Sequence, residues 1–275
     1  MRFVIDCSDK RNEYLFDALC KEGYAVSTYQ NECGLAYPAC KTEADEEEAP
    51  AACRTAVFLF APSAELTEQD VSRIPAGSRI FCFRIGGDIA AALFKKNIAV
   101  HKYFDDELLA MKNAYLTAEG ALGVIIQKTD RSVKDMRVLV LGGGRVGKSV
   151  AKLLHDNRCS VFVATVDPVE YAFASIFSDG VYRFDELFRH IGGFDLIVNT
   201  VPALILKGEA LEKIKKDCLI LDLASKPGGV DTKRAAELGL QTAHELGIPG
   251  RTAPRSAGMA IKDSVLKILS GSGAA

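Results

Sequence analysis

The run Gly142-Gly143-Gly144-Arg145-Val146-Gly147 satisfies G-x-G-x-x-G, and it lies directly after the apolar stretch RVLVLG (137–142) and directly before a helix-period pattern. Gly142 permits a tight turn there, Gly144 lets a pyrophosphate approach the backbone, and Gly147 lets the helix close onto the strand. The helix N-terminus attracts the phosphate charge. This context predicts a parallel α/β lobe that binds a dinucleotide, with Gly142, Gly143, Gly144, Arg145, Val146 and Gly147 as candidate cofactor contacts. Arg145 reads equally well as a phosphate contact or as a solvated side chain.

The rest of that lobe follows the same grammar. Short apolar strands are read at SVFVAT (160–165), LIVNT (196–200) and CLILDLA (218–224), and helical stretches separate the earlier ones. In such folds an acid at the end of the second strand accepts hydrogen bonds from the ribose. Alternation through Val161 and Val163 puts Thr165 in that slot, with Asp167 two positions on. A small neutral residue removes repulsion against a 2′-phosphate and favours NADP, while Asp167 keeps NAD open; both residues are candidate cofactor contacts. Ligands lie outside the carboxyl ends of parallel strands. Thr200, Val201 and Pro202 after one strand, and Ala224 and Ser225 after the next, therefore face the cofactor.

The first hundred residues carry a similar alternation. RFVI (2–5) reads as a strand, Leu15, Phe16, Leu19 and Cys20 as one face of a helix ended by Gly23, and YAVSTY, TAVFLFA (55–61) and RIFCF (79–83) as further strands. The acidic stretch 43–48 (EADEEE) reads as a solvated loop or helix start. From Phe104 to Gln127 the pattern is helical, with Asp105, Asp106 and Glu107 near its start, where a helix dipole favours acids. The fold class is thus α/β, two α/β domains of which the second is a Rossmann-type dinucleotide-binding domain, joined by a long interdomain helix. The predicted division is a substrate-side domain at 1–103, helix and linker at 104–131, the dinucleotide domain at 132–252, and a C-terminal segment, 253–275, packing back on the first domain. Its helix spans about Arg255 to Leu269 and follows a Gly/Pro-rich turn.

Composition excludes several alternatives. With 34 Lys+Arg against 36 Asp+Glu, the chain has no basic field to draw nucleic acid. The opening MRFVIDCSDK lacks a basic-then-apolar leader and the longest apolar runs are far short of a membrane span, so a cytoplasmic, soluble chain is expected. The 8 cysteines form no C-x-x-C pair in the first half and read as reduced thiols, with no metal site.

Polar groups outside the glycine loop suggest where a substrate would be held. On the long helix, Asn113, Thr117, Glu119 and Gly120 form a polar cluster, in which Asn113 and Thr117 share a face with Gly120 that should look into a cleft. Lys226 follows a strand end and suits a carboxylate. Asp222 reads better as a loop organiser than as a base, and His244 as a loop histidine. His101, His155 and His190 are expected in helix ends or loops. In Gly247–Gly258, Ser256 is read as the N-terminal residue of the last helix, where free amides around Ser256 and Ala257 together with Arg255 would receive a carboxylate.

Taken together, Asn113-x-x-x-Thr117-x-Glu119-Gly120, VLVLGGGRVGKSVA, NTVPALIL, LDLASKPGGVD and LGIPGRTAPRSAG resemble the family of dipicolinate synthase A subunits, over about Asn97 to Leu269. The first 96 residues are similar in layout only, with a short Asp9-x-Arg11 turn after the opening strand. The resemblance implies oxidation of dihydrodipicolinate, a lysine-pathway derivative, to pyridine-2,6-dicarboxylate in sporulating bacteria, with NADP or NAD and a flavoprotein-like B subunit. It also implies roles: Lys226 and Arg255 as cationic clamps, Asn113, Thr117, Ser256 and Ala257 as substrate contacts, and Glu119 as proton acceptor or as a structural cap. Where the family pattern places an Arg after the second strand of the dinucleotide lobe, this chain has Val166. A homo-oligomer is expected. Two alternatives remain: a 2-hydroxy- or amino-acid dehydrogenase, and a non-catalytic nucleotide-binding subunit.

Overall fold

The structure, a computed structural model, describes residues 1–29 and 55–271. The acidic stretch 43–48 and Cys33, Cys40 and Cys53 lie outside the described residues. The chain forms two compact units, one of residues 1–113 and 253–275 and the other of residues 114–252.

The first unit contains β1 (Arg2–Ile5), α1 (Lys10–Lys21), β2 (Ala25–Thr28), β3 (Val57–Leu59), α2 (Glu68–Arg73), β4 (Arg79–Cys82), α3 (Gly87–Lys95) and β5 (Ala99–Lys102). Among the described residues its sheet is five-stranded and wholly parallel, in the order β2-β1-β3-β4-β5. Alternation sorts the side chains onto two faces. Phe3, Ile5, Val57, Leu59 and Phe81 pack with Leu15, Phe16 and Leu19 of α1, and Phe58, Phe60, Ile80 and Cys82 pack with Val71, Ile74 and Leu93. Burial on both faces explains the near-continuous apolar strands. Asp9 caps α1, accepting from the Arg11 amide at 2.9 Å and gripping the Arg11 guanidinium through Nε at 2.8 Å and Nη2 at 2.6 Å. Burial alone would raise the Asp9 carboxyl, but these bonds and the Arg11 charge hold it below the ordinary range.

The long helix α4 (Glu107–Lys128) leads into the second unit. That unit contains β6 (Arg137–Leu141), α5 (Arg145–Asp156), β7 (Ser160–Ala164), α6 (Pro168–Ala174), β8 (Gly180–Tyr182), α7 (Phe184–Leu187), β9 (Leu196–Asn199), α8 (Glu209–Glu212), β10 (Leu219–Asp222), α9 (Thr232–Glu237), β11 (Gln241–His244) and α10 (Ile248–Thr252). The chain ends in α11 (Pro254–Gly271), which belongs to the first unit. Six parallel strands in the order β11-β10-β9-β6-β7-β8 make a doubly wound, Rossmann-type sheet whose order reverses between β6 and β9. Val138, Val140, Val161, Val163, Val198 and Leu221 face α5 and the second half of α4. Leu139, Leu141, Ile197 and Ile220 face Leu187, Phe194 and Leu211.

Three local expectations need correction. The segment read as a turn before the last helix contains α10, and α11 starts at Pro254, so Ser256 is its third residue and not its N-terminus. Proline is suited to a first helical position, where its missing N–H costs nothing. His101 lies in a strand, β5, with its ring stacked on Phe81. Gly120 is a packing residue: a Cβ there would run into Ile248 and stand 2.7 Å from Thr252 Oγ1, so α4 and α10 approach closely at that point.

Candidate dinucleotide site

The glycine loop closes β6 onto α5 with little spare room. Gly142 has φ +94, and a Cβ on it would stand 2.6 Å from Thr200 Oγ1 and 2.8 Å from Val201 Cγ2. A Cβ on Gly147 would overlap the Gly142 carbonyl oxygen, so only glycine lets α5 begin this close to the strand. Gly144 differs from both, since a Cβ there would meet Glu170 Oε1 at 3.7 Å and nothing nearer. A Cβ at Gly144 would therefore fit, and Gly144 itself has no side chain to cap α5. A glycine at a helix start, at the reversal of strand order, fits a pyrophosphate.

The strand ends beside the loop carry hydrogen bonds of their own, and one of them holds the loop. Thr200 donates its hydroxyl to the Leu141 carbonyl at 2.8 Å, buttressing the loop from β9. Val201 is half-buried beside Gly142, and Pro202 is exposed. Asp222, 3 % exposed at the end of β10, accepts from Asn199 Nδ2 at 2.8 Å and the Ala224 amide at 3.0 Å through Oδ1, and from the Gly229 amide at 2.8 Å through Oδ2. Gly228, at φ +91, leaves no space for a Cβ against Asp222 Oδ2. His244 at the end of β11 donates from Nε2 to the Ala224 carbonyl at 2.8 Å. The LDLASKPGG run is thus a turn built around one buried carboxylate. It turns Ala224 inward and leaves Ser225 and Lys226 exposed.

Asp167 is exposed, and one of its oxygens is engaged at the start of a helix. Its Oδ1 caps α6, accepting from the Val169 amide at 2.8 Å and the Glu170 amide at 2.9 Å. The acid that reaches the glycine loop is Glu170, which alternation along β7 could not find because it comes from the following helix. Its Oε2 accepts from the Gly143 amide at 3.0 Å and from the Thr165 hydroxyl at 2.6 Å. Thr165 is 3 % exposed and holds this carboxylate from below. Lys148 lies over the Phe173 ring, 4.9 Å from its centroid.

The expected substrate residues are distributed over both units. On α4, Asn113 is half-buried and belongs to the first unit, while Thr117 is buried and Glu119 exposed, both in the second. Lys226 belongs to the second unit and Arg255, Ser256 and Ala257 to the first. Arg255 and Ser256 are exposed, whereas the Ala257 amide donates to the Ala253 carbonyl at 3.0 Å, so it is no free donor. Among the described residues there is no cluster of three or more His, Cys, Asp or Glu placed to hold a metal ion, and no helix is long and apolar enough to cross a membrane.

Known proteins share this fold. The family pattern described as Shikimate / quinate 5-dehydrogenase matches residues 124–256, which span the glycine loop and most of the second unit. The chain is 32% identical over 207 residues to the dipicolinate synthase A subunit of Bacillus subtilis (strain 168), covering 74% of this chain and 69% of that one. Two crystal structures of dipicolinate synthase A subunits superpose with a TM-score of 0.83. The one from Bacillus halodurans is 25% identical and covers 98% of this chain and 97% of its own. The one from Bacillus subtilis is 26% identical and covers 99% and 96%. The second unit is a dehydrogenase-type lobe for a nicotinamide dinucleotide, and the chain belongs to the family of dipicolinate synthase A subunits.

Proposed function

We propose that the chain oxidises dihydrodipicolinate to pyridine-2,6-dicarboxylate, acting with a B-type partner subunit. The observation that carries this reading is the identity with the Bacillus subtilis protein, which extends over 74% of the chain and is joined by the signature runs LDLASKPGGVD and PGRTAPRSAG. The bound dinucleotide supplies the hydride acceptor. Loss of a hydride from one ring carbon and of a proton from a neighbouring atom leaves an aromatic ring, whose stability favours the step, so no covalent intermediate is needed. What the protein must contribute is orientation and charge.

Each residue has a definite task in this reading. Lys226 is a cation offered to a carboxylate, and so, separately, is Arg255, assisted by the Ser256 amide near the start of α11. Asn113 and Thr117 supply side-chain hydrogen bonds, and Glu119, exposed on α4, takes the ring proton. The near-neutral chain has no long-range attraction for an anion, so these local cations do the work.

The same reading places the reaction in the cytoplasm during sporulation and makes the chain one part of an oligomer. The hydroxy-acid alternative asks for a histidine acid/base, and each of the 4 histidines has a packing or hydrogen-bonding contact of its own. His101 and His190 stack on Phe81 and Tyr182, His155 packs edge-on to Phe177, and His244 is bonded to Ala224. The test is a spectrophotometric assay of the purified chain with dihydrodipicolinate and each dinucleotide, with and without the B-type partner. Reduced nicotinamide should appear with substrate; none in either setting rejects the reading, and tight nucleotide binding without turnover supports a non-catalytic role.

A further inference from the structure

We propose that this chain selects NAD over NADP and that Glu170 is the residue that makes the selection. The inference rests on the dinucleotide lobe and not on the identity of the oxidised substrate. In a lobe of this topology the adenosine ribose lies between the glycine loop and the end of the second strand. Glu170 spans those two elements, with Oε2 bonded at once to the Gly143 amide of the loop and to the hydroxyl of Thr165 just past β7. Its other oxygen, Oε1, stands 3.7 Å from where a Cβ on Gly144 would be.

The carboxylate is held in place from several sides. Pro168 opens α6 and Asp167 caps it through Oδ1, so the turn that carries Glu170 is fixed. Gly143 adds to this, because a Cβ there would stand 2.7 Å from the Glu170 Cβ; the helix can come this close only to glycine. Three sequence features that looked unrelated therefore serve one carboxylate: the middle glycine of GGG, the neutral Thr165, and the Asp-Pro pair after it.

An ionised carboxylate only accepts hydrogen bonds. A ribose with free 2′- and 3′-hydroxyls brings two donors to it and can take over the bonds now made by Gly143 and Thr165. A 2′-phosphate brings negative charge and acceptor oxygens, and meets repulsion at the same point. Val166, the residue after Thr165, is 71% exposed and provides no compensating charge. Thr165, read from the sequence as admitting NADP, thus presents the acid that opposes it.

The test is isothermal calorimetry on the full chain with NAD, NADP, ADP-ribose and 2′-phospho-ADP-ribose. Wild type should bind the unphosphorylated member of each pair about tenfold or more tightly. Glu170→Gln should bring each ratio within about threefold, and Glu170→Lys should invert it, with thermal unfolding confirming that both variants fold. NADP binding as tightly as NAD to wild type overturns the proposal, as does a preference that Glu170→Gln leaves intact. If no nucleotide binds, the dinucleotide reading falls and this proposal with it. The dihydrodipicolinate assay is independent of all these outcomes.

Discussion

The side-chain amide of Asn199 donates to Oδ1 of Asp222 at 2.8 Å, linking the carboxyl ends of β9 and β10 through two buried polar groups. Both Asp222 oxygens are occupied by donors, Oδ1 by Asn199 and Ala224 and Oδ2 by Gly229. In Asp222→Asn, either orientation of the new amide turns an NH2 group towards one of these donors. The variant should therefore lose about 3 kcal/mol of unfolding free energy although it is isosteric. Urea unfolding would measure this, and a loss under about 1 kcal/mol would mean that the turn is held by something else.

The glycine loop allows two kinds of damage to be separated. Gly147→Ala forces a methyl into the Gly142 carbonyl and should cost both folding stability, by about 2 kcal/mol, and nucleotide affinity. Gly144→Ala meets nothing nearer than Glu170 Oε1 at 3.7 Å, so it should fold with a stability within about 1 kcal/mol of wild type. It should nevertheless lose dinucleotide affinity by about tenfold or more, because the methyl stands where a pyrophosphate would approach. Unaltered affinity in Gly144→Ala would show that the loop is not the phosphate cradle.

These contrasts bear on what a single sequence discloses. The central strands of the second unit are legible because both faces are buried and the code is plainly apolar. The edge strands β5 (AVHK) and β8 (GVY) are not, since their partly exposed residues carry no clear alternation. The start of α11 is hidden for another reason. Glycine and proline read as turn formers, yet Pro254 occupies a first helical position and Gly258 is a packing glycine whose Cβ would overlap the Arg11 carbonyl. In the site, strand alternation locates Thr165, but the carboxylate bonded to it arrives from α6, five residues on, and only tertiary structure brings it back.

The crossing at Gly258 can be tested directly. Gly258→Ala should destabilise the first unit by about 2 kcal/mol, since α1 and α11 must part to admit the methyl. Gly271, at the end of the same helix, has open space, and Gly271→Ala should leave the melting temperature unchanged. Equal behaviour of the two variants in a thermal melt would count against close contact at Gly258.

Asp195 gives a pH dependence with a definite sign. Burial tends to raise its carboxyl, but hydrogen bonds from Lys215 and the Arg137 amide, with the charges of Lys215 and Arg131, hold it below the ordinary 3.8. A group whose pKa is depressed by folding adds stability above its unfolded value, and that stability is lost as pH falls through the folded value. Wild type should therefore lose stability below about pH 4 more steeply than Asp195→Asn, which should be the less stable of the two at pH 7. Urea midpoints taken from pH 7 down to pH 3 would check this, and parallel curves would remove Asp195 from the account.

Arg255 offers the most direct separation of substrate from cofactor. It is exposed as the second residue of α11, so its removal should leave folding intact. A charge-assisted bond to a carboxylate is worth about 1.5–3 kcal/mol, or roughly ten- to a hundredfold in affinity. Arg255→Ala should accordingly raise the KM for the dicarboxylate by that factor while the Kd for the dinucleotide stays within about twofold. Arg255→Lys, which keeps the charge but not the forked geometry, should fall between the two. If KM and Kd rise together, the effect is on the fold and the assignment of Arg255 as a carboxylate clamp is rejected. If KM stays constant, the dianion is held by other groups and Lys226 becomes the cation to examine.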